Sequence, residues 1–223
     1  MTGASRGIGR AVALRLAARY DVVAAARSRP ELDSLVREIE GAGGRARAVD
    51  VDVGDPAAVE RAFASVSADV LVNNAGVGVL RPFAELTPDE WRTMLDVNVN
   101  SLYHVTRALL PGMLRRGAGD VVVIGSLAGR NPFAGGSCYS GTKHFVIGFA
   151  ESLMLEVREQ GVRVSVVMPG SVATHFSPPG RHADTSWMLQ APDVAEAVLG
   201  IVTMPRHAHV SRVELRPARP HKR

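Results

Sequence analysis

The chain has 223 residues and a formal charge of +4; 46% of its residues are hydrophobic and 5% aromatic, which suits one α/β domain with a core rich in Ala and Val. No apolar run reaches the roughly 18 residues that span a bilayer, and the opening stretch, Gly-rich and carrying Arg6 and Arg10, reads as a loop rather than a signal peptide. Cys138 is the single cysteine, so no internal disulfide forms and a cytoplasmic setting is the simplest expectation.

In chain order, Ile8, Val12, Leu14 and Leu16 predict a helix over 8–19, followed by a short buried strand over 21–26. A helix over 31–40 ends at Gly41, Gly43 and Gly44, and a strand follows over 45–50. Pro56 opens a helix over 56–66, and 69–73 is a strand. Thr87-Pro88-Asp89-Glu90 has the form of a capping box, and the helix it opens is expected to run unbroken to Arg116. Next come a strand over 120–125, a long helix over 138–160 closed by Gly161, and a strand over 162–168. A helix over 192–203 and a strand over 210–215 complete the series. Residues 171–191, which hold Pro178, Pro179, Gly180 and Trp187, are the least regular and read as a lid loop on the substrate side.

Strands alternating with helices of this length predict a doubly wound parallel sheet, a Rossmann fold in a single domain over 1–223. In that fold a Gly-rich loop follows a strand at the centre of the sheet. Here Thr2-Gly3 follows Met1 directly, so the first strand is expected to be missing. Its slot should leave neighbours unpaired, which implies either an apolar strand upstream or a chain of low stability.

Four motifs carry chemistry. Gly3, Gly7 and Gly9, with Ser5, Arg6 and Ile8 between them, let the backbone approach a pyrophosphate and aim a helix N-terminus at it, although glycines also serve ordinary turns. Asn73-Asn74-Ala75-Gly76 follows a strand at the carboxyl edge, where ligands of open α/β sheets bind; a plain turn is the alternative. Ser126 ends the strand Val121-Val122-Val123-Ile124-Gly125 and can hydrogen-bond a substrate oxygen or simply close a turn. Tyr139 and Lys143 stand i, i+4 on one helix face, where an ammonium lowers a phenol's pKa and fits it for acid–base work. The chain uses 24 Arg and only two Lys, so a lysine here marks a site that needs a compact charge on a flexible stem.

Together these motifs resemble the short-chain dehydrogenase/reductase family over nearly the whole chain. Thr2 to Gly9 is similar to its cofactor loop and Asn73 to Gly76 to its N-N-A-G; Ser126, Tyr139 and Lys143 keep its active-site order, and Asn98 matches its fourth catalytic position. Pro169-Gly170, with Val172 and Thr174, resembles the loop beside nicotinamide, while Asp52 and Val53 match the adenine contact. The resemblance implies a carbonyl/alcohol oxidoreductase. Tyr139 is its proton donor, Ser126 holds the carbonyl oxygen, and Lys143 holds the ribose and depresses the Tyr139 pKa. Asn98 fixes a water that feeds protons through Lys143. It further implies a homodimer or homotetramer packed through the helices of Asn98 and Tyr139. The cofactor is expected to be NADP(H): the position where an NAD enzyme carries an acid reads Ala26-Arg27-Ser28-Arg29, and Arg27 with Arg6 suits a 2′-phosphate. The end Val213-Glu214-Leu215-Arg216-Pro217 resembles bacterial NADP-dependent hydroxy-acid and alcohol dehydrogenases, and lacks the Asp-Gly-Gly of 3-oxoacyl-carrier-protein reductases, which stand as the alternative. A cofactor sensor without turnover is a further alternative, disfavoured because such proteins usually lose the Tyr or the Lys.

The other polar residues read more blandly. His207 and His209 have no third ligand nearby, so no metal site is expected. The basic tail from Arg206 to Arg223 has no interleaved aromatics and reads as a solvated terminus, not a nucleic-acid contact. Cys138 reads as a small packed residue. Phe133, Phe176, Trp187 and Met188 are candidate pocket walls, and Arg130 and Arg181 are candidate carboxylate contacts for which solvation is the simpler reading.

Overall fold

The computed structural model describes residues 1–174, 176 and 184–219. Among them lie the parallel strands β1 (Val22–Ala26), β2 (Ala46–Asp50), β3 (Val70–Asn73), β4 (Gly119–Ile124), β5 (Val162–Pro169) and β6 (Arg212–Leu215). The helices between them are α1 (Gly7–Leu16), α2 (Arg29–Gly41), α3 (Pro56–Phe63), α4 (Pro88–Leu95), α5 (Ser101–Arg116), α6 (Ser137–Val157) and α7 (Ala191–Val202). Successive strand residues point to opposite faces, so each buried strand feeds two cores. Val121 and Val123 pack with α3, α5 and α6, whereas Val122 and Ile124 pack with α1 and α7. A third cluster joins α1, β1 and α2 through Ala13, Ala24, Leu32 and Leu35. The doubly wound α/β architecture is therefore present, with most helix boundaries shifted by one to three residues from those expected.

The expected helix to Arg116 is not continuous. α4 begins at the predicted capping box, where the Thr87 hydroxyl accepts from the Glu90 N–H at 3.2 Å and the Glu90 carboxylate accepts from the Thr87 N–H at 3.0 Å. It then passes into a π-helical turn, Asp96–Asn100, before α5 resumes. Apolar spacing does not reveal a single wide turn.

The sheet is interrupted where the first strand was expected. β1 and β2 form one ribbon, and β3-β4-β5-β6 form another. The gap is partly filled, which corrects the expectation of an empty slot. The Met1 carbonyl accepts from the Ala25 N–H at 2.9 Å, Thr2 donates its N–H to the Val72 carbonyl at 3.0 Å, and the Ala4 N–H reaches the Ala25 carbonyl at 3.1 Å. Thr2 and Ala25 thus make an isolated parallel bridge.

The basic tail is also more ordered than expected. Arg206 pairs with Asp120 at 3.1 Å, Arg212 with Glu151 at 3.3 Å and Arg216 with Glu214 at 2.9 Å. Asp120 also receives buried Arg163 at 2.6 Å, and Arg163 donates on to the carbonyls of Met204, Pro205 and Ala208. That network ties β4 and β5 to the segment leading into β6. Of the predicted lid, residues 175 and 177–183, Arg181 among them, lie outside the described residues, as do 220–223.

Candidate active site

The carboxyl edge of both ribbons opens into one cavity of about 1220 Å³. The turn from Thr2 into α1 forms its floor. Gly3 and Gly7 have φ of 62° and 57°, left-handed values that favour glycine. A Cβ at Gly9 would collide with the Gly3 carbonyl oxygen, so close packing inside the loop explains that glycine. At the α1 N-terminus Arg6 provides no side-chain cap and the first turn has no acid. Its N–H groups and positive dipole end are thus available to an anion.

Asn74 and Thr2 hold this loop against β3. The Asn74 amide donates to the Thr2 and Gly3 carbonyls at 3.1 Å each, and the Thr2 hydroxyl accepts from the N–H groups of Asn74 and Ala75. Asn74 therefore acts through the loop, and Thr2 is a site residue that the motif reading left without a role. At the far end of the cavity Arg27 follows β1 and Asp52 follows β2; their charges stand 3.9 Å apart, both largely exposed. Val53 is buried beside Asp52. On the other side Pro169, Gly170, Val172 and Thr174 form a wall, with Thr174 lying over Gly7. Phe133, Phe176, Trp187 and Met188 also line the cavity.

Ser126, Tyr139 and Lys143 meet near the middle. Ser126 extends from β4, and its Oγ accepts from the Ala128 N–H at 3.1 Å. Tyr139 and Lys143 are buried on α6, with Phe176 stacked obliquely on the tyrosine at 5.4 Å between ring centroids. The Lys143 ammonium donates to the Ile124 carbonyl at 3.2 Å and stands 5.9 Å from the centre of the Tyr139 ring. Burial lowers the Lys143 pKa to about 8. Burial also pushes the Tyr139 phenol above its ordinary value, while a hydrogen bond with Ser126 pulls it down. The net direction is upward, where the resemblance implies a depression by Lys143; the Lys143 ammonium donates to the Ile124 carbonyl instead. A neutral phenol is the form that can donate a proton.

Asn98 does not line the large cavity. It sits in the π turn, where its amide oxygen accepts from the Val77 N–H at 2.8 Å. Its amide nitrogen donates to the Val77 carbonyl at 2.8 Å and to the Thr142 hydroxyl at 3.0 Å, and Thr142 donates to the Tyr139 carbonyl at 2.8 Å. Thr142, another residue the motifs do not single out, links the π turn to α6. Beneath Lys143 a cavity of about 10 Å³, lined by Thr2, Asn73, Asn98 and Ser101 among others, is about the size of one water molecule.

Arg130, a candidate carboxylate contact for which solvation is the simpler expectation, pairs with Glu214 at 2.8 Å. Among the described residues no group of three His, Cys, Asp or Glu side chains is placed to hold a metal ion, and no helix is long and apolar enough to cross a membrane.

A family model described as short chain dehydrogenase matches residues 1–184. The chain is 36% identical to the NADP-dependent 3-hydroxy acid dehydrogenase YdfG of Salmonella typhi, over 97% of this chain and 93% of that protein. It is 35% identical to sulfoacetaldehyde reductase 2 of Chromohalobacter salexigens, over 98% and 93%. Among solved structures, the closed form of a serine dehydrogenase complexed with NADP+ superposes with a TM-score of 0.91 at 33% identity, covering 100% of this chain and 98% of that one. A 3-oxoacyl-[acyl-carrier protein] reductase from Brucella melitensis gives 0.87 at 29% identity, over 96% and 87%.

Proposed function

The chain belongs to the short chain dehydrogenase family, and from that footing we propose that it is an NADP(H)-dependent oxidoreductase interconverting a carbonyl and an alcohol on a small hydroxy acid or related aldehyde. The observation that carries this reading is the meeting of Ser126, Tyr139 and Lys143 at the centre of one cavity. The cavity fits the cofactor: an uncapped helix end and Gly-lined turn suit a pyrophosphate, and Arg6 and Arg27 suit a 2′-phosphate. Asp52 and Val53 would meet the adenine, with Ala75 and Gly76 along the floor. Pro169, Gly170, Val172 and Thr174 would hold the nicotinamide. NADP(H), when bound, supplies or accepts the hydride.

The chain's own residues manage the oxygen and the proton. The Ser126 hydroxyl holds the substrate oxygen, and Tyr139, neutral and buried, donates its phenolic proton to that oxygen. Lys143 anchors beneath the phenol and would hold the ribose of the bound cofactor. Asn98 locks the π turn so that the small cavity under Lys143 can hold the water that returns a proton. Hydroxy acids are favoured by the likeness to 3-hydroxy acid and sulfoacetaldehyde enzymes and by the ending Glu214-Leu215-Arg216-Pro217 in place of Asp-Gly-Gly. The cytoplasm suits such an enzyme. Exposed Tyr103 on α5 and Phe145 and Leu155 on α6 support assembly as a homodimer or homotetramer through those helices.

The test is NADPH oxidation across 3-oxo acids, 3-oxoacyl thioesters, aldehydes and cyclic ketones. A 3-oxoacyl thioester turned over far faster than any acid transfers the assignment to acyl-chain reduction. Tyr139→Phe should keep cofactor binding and lose kcat by about 10² or more, the scale of a general acid. Retention of more than about a tenth of kcat removes Tyr139 from that role.

A further inference from the structure

Beyond the catalytic residues, the cavity contains one cation that this reading leaves unused. The charged side chains lining it, among the described residues, are Arg6, Arg27, Glu31, Asp52, Lys143 and Arg216. The first four lie at the end formed by the Gly loop, β1 and β2. Lys143 is buried under the tyrosine. Arg216 alone is an exposed cation on the Ser126 side.

Its placement follows from the strand before it. In β6 every second residue faces the same way. Arg212 meets Glu151 of α6, and Glu214 meets Arg130, three residues beyond Leu127. Arg216 continues that row, past the carboxyl edge, on the face occupied by α6 and by the turn that follows Ser126. Its neighbours fix the position. The Gly170 N–H donates to the Leu215 carbonyl at 2.8 Å, and a Cβ on Gly170 would touch Leu127 at 3.1 Å and Pro217 at 3.3 Å. Arg216 therefore stands between two residues packed against Gly170, whose other neighbour is Leu127, the residue after Ser126.

The electrostatics are unbalanced in a useful way. The Glu214 carboxylate accepts from Arg130 at 2.8 Å and from Arg216 at 2.9 Å, so two positive charges share one negative. Both arginines hold Glu214 in its ionised form. Arg130 does not line the cavity, whereas Arg216 lines it and is more than half exposed. A guanidinium has five donors and can engage a second oxyanion while keeping the first.

We propose that Arg216 is the specificity-determining side chain of the substrate pocket, binding a carboxylate or sulfonate oxyanion on the end of the substrate away from the reacting carbon. The proposal rests on the oxidoreductase reading for its location, and it assigns the pocket to small anionic carbonyl compounds over neutral ones. Glu214 orients Arg216 and offsets part of its charge, so the two residues have opposite effects on anion affinity.

The experiment compares acetoacetate with its methyl ester, a pair differing in the charge. With NADPH saturating, Arg216→Gln should raise KM for acetoacetate at least tenfold and leave KM for the ester and for NADPH within about twofold. Glu214→Gln should lower KM for acetoacetate. Equal losses on acid and ester would make Arg216 a structural strut and overturn the proposal, as would an unchanged KM for the acid. Calorimetric titration of the NADP+-loaded protein with acetoacetate reads the same contact without turnover. Binding by the parent chain that vanishes in Arg216→Gln supports the site even if no substrate in the panel is reduced, an outcome that would sink only the oxidoreductase reading. No binding by the parent chain overturns the anion site.

Discussion

At the scale of single residues, Lys143 sets function against stability. Burial brings its pKa to about 8 from the ordinary 10.5. Between those values the unfolded chain binds a proton that the folded chain has released, so stability rises with pH from 8 to 10.5. Below pH 8 the buried charge costs roughly 3 kcal/mol, since each unit of difference is about 1.4 kcal/mol. Lys143→Met should therefore raise Tm at pH 7 by a few degrees, flatten the rise in Tm above pH 8 and abolish NADPH oxidation. Thermal melts across pH 7 to 10.5 check this, and an unchanged pH dependence would contradict it. Arg27 supplies a second test. Its contact with Asp52 is long and solvent-exposed, and such pairs contribute little, so it is free to meet a 2′-phosphate. A charge-assisted contact of about 1.5–3 kcal/mol implies that Arg27→Glu shifts the NADPH/NADH ratio of kcat/KM at least tenfold towards NADH. An unshifted ratio would leave the discrimination to Arg6.

At the scale of elements, the π turn keeps two faces in phase. Met94 of α4 and Leu102 of α5 are both buried. They are eight residues apart, which an unbroken helix would place about 80° out of phase at 100° per residue. One additional residue in the wide turn brings both to the α6 side, Met94 in the cluster of Cys138 and Tyr139 and Leu102 in that of Val146 and Ile147, and turns Asn98 towards Val77. Deleting Val99 should make the helix continuous, costing either the Asn98–Val77 pairing or the burial of Leu102, Val105 and Leu109. A Tm drop of more than about 5 °C with loss of turnover is expected, and a variant melting within a degree of its parent would refute the argument. This turn also marks where the sequence stops being informative. The order of strands and helices was legible because burial on two faces imposes Val-rich runs and amphipathic spacing. The ring of residues around the large cavity was legible because Gly9 tolerates no Cβ and because Tyr139 and Lys143 share a helix face. The π turn has no compositional signature. The roles of Thr2, Thr142 and Arg216 depend on contacts between segments far apart in the chain, Thr2 with Asn74 and Glu214 with Arg130, which no local pattern encodes.

At the scale of the whole molecule, two surfaces make separate predictions. The first is the apolar face of α5 and α6, where Tyr103, Phe145 and Leu155 are 52%, 46% and 58% exposed. Single exposed apolar residues are ordinary, but three large ones on α5 and α6 make this face the expected seat of a second copy. Phe145→Glu with Leu155→Glu should reduce the mass measured by light scattering to one chain, and an unchanged oligomer would place the contact elsewhere. The second is the boundary between the β1–β2 and β3–β6 ribbons, where the backbone pairing of the described residues runs through Met1, Thr2 and Ala4, and side-chain bonds of Asn74 and Thr2 add to it. Arg27 and Asp52 stand on one ribbon, and Ser126, Pro169 and Gly170 extend from the other, so a dinucleotide laid along the cavity is a clasp across a seam. The smaller ribbon should open on its own, its amides exchanging with deuterium before those of β4 and β5. Saturating NADP+ should slow exchange in β1 and β2 far more than in β4, because a ligand that binds only the closed form suppresses opening in proportion to its occupancy. In that sense the cofactor completes the sheet mechanically, lending its length where the backbone pairing is confined to Met1, Thr2 and Ala4.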